Sequence, residues 1–209
     1  GDNAMVTLVF SESVASFSSD ADITVDNGTL ATMTSSDNIT WSGTFTPTTG
    51  EEEQSNELSL ATSYTDTAGN SGPSATTANY EVDTLAPSVS SIVISSATGI
   101  QNNFLNAGDN VSVTVTFSEV VDKTGTPQLT LAVGSDNRTA TYASGTGNAP
   151  LVFTYTIQTG DTDTDGISIR ANALALNSGT IRDAAGNNAT LTNNAVSGNA
   201  SYKVDTTAP

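Results

Sequence analysis

Three sequence blocks occur twice, in the same order, along the chain. The block at residues 1–12 reads GDNAMVTLVFSE and recurs at residues 108–119 as GDNVSVTVTFSE. The block at residues 66–70, DTAGN, recurs at 183–187 as DAAGN, and the block at 80–87, YEVDTLAP, recurs at 202–209 as YKVDTTAP. Such ordered recurrence indicates two copies of one structural unit. We therefore predict two domains, residues 1–84 and residues 85–209, of which the second carries longer insertions.

The proline-containing blocks mark the predicted boundaries. Pro87 has no backbone N–H to donate to a sheet, and it restricts the conformation of the residue before it. A second block of this kind closes at Pro209, so a further module is expected to follow. Nothing in the first copy corresponds to residues 87–107, and we therefore expect the first domain to lack its opening strand.

Apolar residues alternate with Ser and Thr through much of the chain, which is typical of half-buried strands. Val111, Val113, Val115 and Phe117 share one face of such a strand. Only 36% of the residues are hydrophobic and 6% aromatic, so each core is expected to be small. The predicted strands are 4–11, 23–30, 39–46, 57–64 and 75–82, followed by 89–95, 111–118, 127–133, 138–143, 151–158, 166–171 and 199–205. This spacing predicts an all-β chain of tandem immunoglobulin-like β-sandwiches, antiparallel and Greek-key, with a β-barrel as the alternative.

The charge balance excludes several functions. The net charge is −17, and such a chain offers no cationic face for nucleic acid or for an anionic membrane.

The chain has neither His nor Cys, which rules out the usual Ser-His-Asp and Cys-His catalytic groups and ordinary zinc sites. No apolar stretch is long enough to span a membrane. We expect a soluble monomer that is not an enzyme.

The motifs Val-x-Val-x-Phe-Ser-Glu, Asp-x-Ala-Gly-Asn and Tyr-x-Val-Asp-Thr-x-Ala-Pro resemble the bacterial Ig-like repeats of large RTX-type adhesins. The segments PQLTL at 127–131 and GDTDTDGI at 160–167 are similar to a subtype of these repeats. The resemblance implies a secreted or cell-surface protein of bacterial adhesion, whose repeats are Ca²⁺-stiffened extender segments. Its partners would then be the neighbouring Ig-like repeats of the same chain.

Sandwich topology predicts where calcium ligands could meet. In a β-sandwich, the loops at the end where the first strand enters lie near the linker that leads into the domain. Loops of the second domain are therefore expected beside the linker between the two domains. Several carboxylates at one seam would repel each other unless a cation joined them, and Ca²⁺ takes six to eight oxygen ligands. The candidate ligands at this junction are Asp83, Glu119, Asp122, Asp183, Asn187, Glu51, Glu52 and Glu53. In the first copy, Glu12 corresponds to Glu119 and Asp66 corresponds to Asp183, and these two residues complete the set.

A second candidate calcium site is the sequence Asp161-x-Asp163-x-Asp165-Gly, which matches the first half of an EF-hand loop. Asn172 stands where an EF-hand has its bidentate Glu, and no helices are predicted on either side. Asp109, on a loop at the same end of the predicted sandwich, could add a ligand. The alternative for this segment is an acidic turn without calcium. For Asp66 and Asp183 the alternative is likewise structural, since each could cap its own loop.

A ligand-binding module of the same adhesin, for a glycan, a host protein or ice, is the rival interpretation. Threonine-rich strands would favour ice binding, but Thr is also a good strand residue in its own right. The sequence shows no aromatic patch that would anchor a ligand.

Overall fold

The computed structural model describes residues 2–209, and Gly1, which opens the first predicted domain, lies outside the described residues. The chain divides into two compact units, Gly1–Leu85 and Ala86–Pro209. Both are built almost entirely from antiparallel strands. The predicted all-β, immunoglobulin-like fold class is confirmed.

The first unit forms three small sheets from the strands described within residues 2–85. Their order is β1-β4-β3, β2-β6-β7 and β5-β8. A single turn of helix precedes β2. The elements are β1 (Ala4–Val9), α1 (Ser19–Asp22), β2 (Ile23–Val25), β3 (Gly28–Leu30), β4 (Thr40–Pro47), β5 (Glu52–Asn56), β6 (Leu58–Leu60), β7 (Ala75–Thr76) and β8 (Tyr80–Asp83).

Two long strands predicted for the first unit are each divided in the structure. The predicted strand 23–30 is β2 and β3, which lie in different sheets because Asn27 turns the chain between them. Asn27 has a φ of +46°, a left-handed conformation that Asn tolerates better than most residues. The predicted strand 75–82 is likewise β7 and β8. The first unit is therefore held by short ladders, around a small core of Val14, Phe17, Met33, Leu60 and Tyr64.

The second unit contains one large sheet and one small sheet. The large sheet follows the order β16-β12-β13-β14-β11-β17, with β9 also paired to β11, and the small sheet is β10-β18-β15. The elements are β9 (Val89–Thr98), β10 (Phe104–Leu105), β11 (Asn110–Thr124), β12 (Gln128–Val133), β13 (Asp136–Ser144), β14 (Asn148–Thr156), β15 (Thr162–Asp163), β16 (Ser168–Ala175), β17 (Thr180–Arg182) and β18 (Lys203–Asp205).

The core of the second unit lies where alternation predicted it. Val111, Val113 and Val115 of β11 are fully buried, and they lie opposite Tyr155, Phe153 and Leu151 of β14. The polar residues between them face the other way and stay partly accessible. Burial of this face stabilises the unit by about 1.5–3 kcal/mol for each large apolar side chain that leaves water.

Strand β11 continues beyond its predicted end at residue 118 and changes partner as it does so. Residues 110–117 pair with β9, and after a register irregularity residues Asp122–Thr124 pair with β17. A bulge of this kind bends a strand and lets it join a second neighbour. Glu119 and Asp122, which were predicted to lie in a loop, are therefore part of a strand.

Candidate calcium-binding carboxylates

The two Asp-x-Ala-Gly-Asn blocks fold into the same turn. Both Asp66 in the first unit and Asp183 in the second accept a bond from the backbone N–H and one from the side-chain amide of the Asn four residues later, at 2.8 Å each. Gly69 and Gly186 close the turns with φ of +89° and +92°. The predicted capping turn is confirmed, and the hydrogen bonds from Asn70 lower the pKa of Asp66.

In the second unit this turn brings a buried carboxylate close to another acid. Asp183 is 7% exposed, and Glu119 of β11 is half-buried. Carboxylate oxygens of the two side chains lie within 4.8 Å of each other. Two oxygens bound to one Ca²⁺ at about 2.3–2.6 Å can be separated by up to about 5 Å, so this pair has the spacing of a calcium chelate.

The junction ligands predicted in the first unit lie on the paired strands β5 and β8 or next to them. Asp83 is the last residue of β8 and stands opposite Glu52 of β5, while Glu53 pairs with Val82. Asp83 is half-buried, whereas Glu52 and Glu53 are exposed. Thr84 links this edge to Glu51, because its hydroxyl accepts a 3.0 Å bond from the Glu51 N–H. The cross-strand pair of Asp83 and Glu52 places like charges side by side, which a bound cation would relieve.

Asp122 lies farther along β11, where Arg182 of β17 stands opposite it. Its carboxylate accepts a 3.3 Å hydrogen bond from the Thr146 hydroxyl. Asn187 donates both its backbone and its side-chain N–H to Asp183, so in this arrangement it positions the carboxylate.

The Asp161 carboxylate of the half-EF-hand segment is occupied by protein donors. One oxygen accepts a 2.6 Å bond from Arg138 Nε, and the other accepts bonds from the Tyr155 hydroxyl at 2.6 Å and from the Gln158 N–H at 2.9 Å. Burial opposes ionisation of Asp161, but these hydrogen bonds and the Arg138 charge outweigh it and lower the pKa of the carboxyl. Burial and the Asp161 carboxylate raise the pKa of Tyr155 to about 12.

Asp163 is also directed into the protein. It is 3% exposed and accepts N–H bonds of 2.7 Å from both Gly134 and Gly166. Asp165 is exposed, and its backbone N–H donates to Asp163. Asp109 caps its own loop by accepting a 2.7 Å bond from the Asn106 N–H. These contacts match the alternative of an acidic turn, and calcium at this segment stays a prediction.

Glu12 and Asp66 both line a cavity of about 310 Å³ in the first unit. The rest of its wall is largely apolar and includes Leu8, Phe10 and Leu60.

Sequence reasoning missed the Arg138–Asp161–Tyr155 cluster. Arg138 lies in β13 and Tyr155 near the end of β14, so only the folded sheet brings them to Asp161. The one signal in the sequence was Arg138 itself, which is one of only five basic residues in an acidic chain.

Residues 1–82 match the family model of the bacterial Ig-like domain. Neither the curated proteins nor the solved structures gave a match. No helix in the described part of the chain is both long and apolar enough to cross a bilayer. Bacterial Ig-like domains are typically structural modules without catalytic activity. The match supports the interpretation of the first unit as a bacterial Ig-like repeat, and the three repeated sequence blocks relate the second unit to it.

Proposed function

We propose that this chain is a spacer segment of a bacterial surface adhesin, in which Ca²⁺ stiffens the connection between successive Ig-like units. The proximity of Glu119 and Asp183 in the second unit is the observation that carries the calcium part of the proposal. The family match supports the spacer part, since bacterial Ig-like domains are typically structural and surface-exposed.

The anchoring of the linker supports Asp83 as a further ligand. Thr190 donates a 2.7 Å bond to the Pro87 carbonyl, and Ser88 exchanges bonds with Ser118. The start of the second unit is thereby fixed next to the residue that precedes Glu119. Asp83 precedes Pro87 by four residues, and four residues span at most about 14 Å. The linker is therefore short enough for the Asp83 carboxylate to reach an ion bound by Glu119 and Asp183.

Chemistry also favours calcium over zinc or copper. The proposed ligands are all carboxylate or amide oxygens, which are hard donors that suit Ca²⁺ and suit zinc or copper poorly. Asp183 is buried and Asn187 holds its carboxylate in place, so less conformational entropy is lost when the ion binds.

Calcium is expected to raise the melting temperature of the chain by about 10 °C when its concentration is about 100-fold above Kd, since binding then contributes about 2.7 kcal/mol. Differential scanning calorimetry in Ca²⁺ and in EGTA measures this rise. Asp183→Asn and Glu119→Gln should each remove most of it.

The matched control is Glu81→Gln, which removes one negative charge from an exposed position in β8. It should keep the full calcium response. A defect of the Asp183 turn alone would lower the melting temperature equally in both buffers, whereas a lost ligand lowers it only in Ca²⁺. An undiminished response in Asp183→Asn would contradict the assignment.

A further inference from the structure

Asn27 and Gly28 form the one Asn-Gly pair of the sequence. They are half-buried, and they lie where the chain turns from β2 into β3. The fold requires glycine at residue 28, because an added Cβ would collide with the ring of Phe45. Glycine also has no side chain to shield its backbone nitrogen, so this nitrogen can approach the preceding asparagine side chain more easily than in any other Asn-x pair.

The Gly28 N–H takes no part in the β3–β4 ladder. The Thr48 N–H donates to the Asn27 carbonyl, which makes these two residues a hydrogen-bonded pair. Bonded and non-bonded pairs alternate along an antiparallel ladder, so Gly28 and Pro47 form a non-bonded pair. The Gly28 N–H therefore points to the side of β3 where its sheet has no further strand, and within residues 2–209 no side chain accepts a bond from it.

The one Asp-Gly pair of the sequence, Asp165 and Gly166, is arranged differently. Gly166 is buried, and its N–H donates to the Asp163 carboxylate at 2.7 Å. That bond holds the glycine nitrogen in place, whereas nothing comparable holds the nitrogen of Gly28. Of the two pairs with a glycine in second position, the structure leaves only Asn27–Gly28 with an unengaged backbone nitrogen among the described residues.

The side chain of Asn27 supports a buried junction between two other strands. Its amide donates to Asn56 Oδ1 at 2.7 Å. Asn56 is 1% exposed, and its own amide donates to the carbonyls of Glu53 in β5 and Tyr80 in β8 at 3.0 Å each, beside an irregularity in their register. Because both N–H groups of the Asn56 amide are engaged, this amide cannot reverse to suit a changed partner.

We propose that Asn27 is a site of spontaneous deamidation, and that its conversion loosens the junction of β5 and β8. The Gly28 nitrogen bonds to the Asn27 side-chain carbonyl carbon and gives up its proton, and the side-chain nitrogen leaves as ammonia. Water then opens the resulting succinimide at either carbonyl, which leaves aspartate or isoaspartate at residue 27. Either product lacks the donor to Asn56 Oδ1 and adds a negative charge, so a buried acceptor is left unpaired. These contacts carry the proposal independently of calcium.

Mass spectrometry of the 209-residue chain, aged in mildly alkaline buffer with EGTA, locates the modification. Digestion before aspartate releases residues 26–36, in which Asn27 is the one Asn. Aspartate at residue 27 adds a cleavage site and isoaspartate does not, so both products are counted. We expect deamidation here to be about tenfold faster than at Asn70 or Asn177, which precede Ser. Equal rates at the three residues, or no modification at Asn27, would overturn the proposal.

Asn27→Asp reproduces one product and tests its effect on the strands. Asn38→Asp is the matched control, because Asn38 is also left-handed, with a φ of +59°, but is exposed. In EGTA, hydrogen exchange at the paired Glu53 and Val82 amides should be about tenfold faster in Asn27→Asp and unchanged in Asn38→Asp. Equal exchange in both variants overturns the proposal. If Asn27→Asp does not fold, the same amides are followed in the unmodified chain as it ages, and protection that does not fall with the extent of modification overturns it as well.

Discussion

Replacement of Asp161 by Asn is expected to destabilise the second unit by about 3 kcal/mol. The Asp161 side chain has 0% exposure and balances the Arg138 guanidinium, which retains 30% exposure. Removing one partner of a buried pair leaves an uncompensated charge and unsatisfied donors. Urea unfolding followed by circular dichroism measures the loss, while Trp41 fluorescence reports the first unit and should not change.

Asp136→Asn is the matched control, because Asp136 pairs with the same arginine at 3.0 Å but is 59% exposed. Exposed ion pairs contribute little, so its effect should stay within about 0.5 kcal/mol. Equal effects of the two substitutions would show that Asp161 is not a buried structural acid.

The Arg138–Asp161–Tyr155 cluster is expected to make the stability of the second unit depend on pH. The pKa of Asp161 is lowered in the folded state, so its stabilising effect is present above the unfolded pKa of about 3.9 and is lost as pH falls through the lower, folded value. The pKa of Tyr155 is raised to about 12, so its contribution is full below about pH 10 and is lost as pH rises through 12. Asp161→Asn should flatten the acid limb of the second-unit stability profile, measured by urea melts between about pH 2 and pH 6.

Gly166→Ala is expected to destabilise the second unit by about 3 kcal/mol or to prevent its folding. Gly166 has a φ of +102°, and a Cβ added there would collide with the backbone carbonyl oxygen of Asn199. A left-handed conformation costs an L-residue about 1–2 kcal/mol, and overpacking against backbone adds about 1–3 kcal/mol. Urea unfolding measures the loss.

Gly160→Ala measures the conformational part of this effect alone. Gly160 lies in the same loop with a φ of +94°, but nothing lies within 4 Å of an added Cβ. It should cost only about 1–2 kcal/mol. If both variants lose the same stability, a Cβ at residue 166 does not collide with the Asn199 carbonyl oxygen, which would contradict this prediction.

The strands that sequence predicted best are those with an uninterrupted apolar face. Val111, Val113 and Val115 alternate without exception, and the second unit buries all three completely. The first unit was harder, because Asn27 turns the chain inside a stretch whose sequence predicts one strand. A left-handed Asn is not visible in hydrophobic periodicity.

Acidic motifs were harder still, because turns and calcium sites use the same residues. The sequence of Asp161, Asp163 and Gly166 fits half a metal loop, yet the carboxylates of Asp161 and Asp163 accept hydrogen bonds from Arg138 and Gly134 as well as from local donors. Arg138 and Gly134 come from a part of the chain distant in sequence. Conversely, the proximity of Glu119 to Asp183 depends on the extension of β11 past residue 118, which alternation did not predict.

Small-angle X-ray scattering of the 209-residue chain, in Ca²⁺ and in EGTA, tests the calcium-stiffened spacer most directly. We predict that Ca²⁺ increases the radius of gyration and the maximum dimension, and that Asp183→Asn removes the increase while Glu81→Gln retains it. Identical scattering curves in Ca²⁺ and EGTA, together with an unchanged melting temperature, would contradict the account and leave the carboxylates as surface and turn residues.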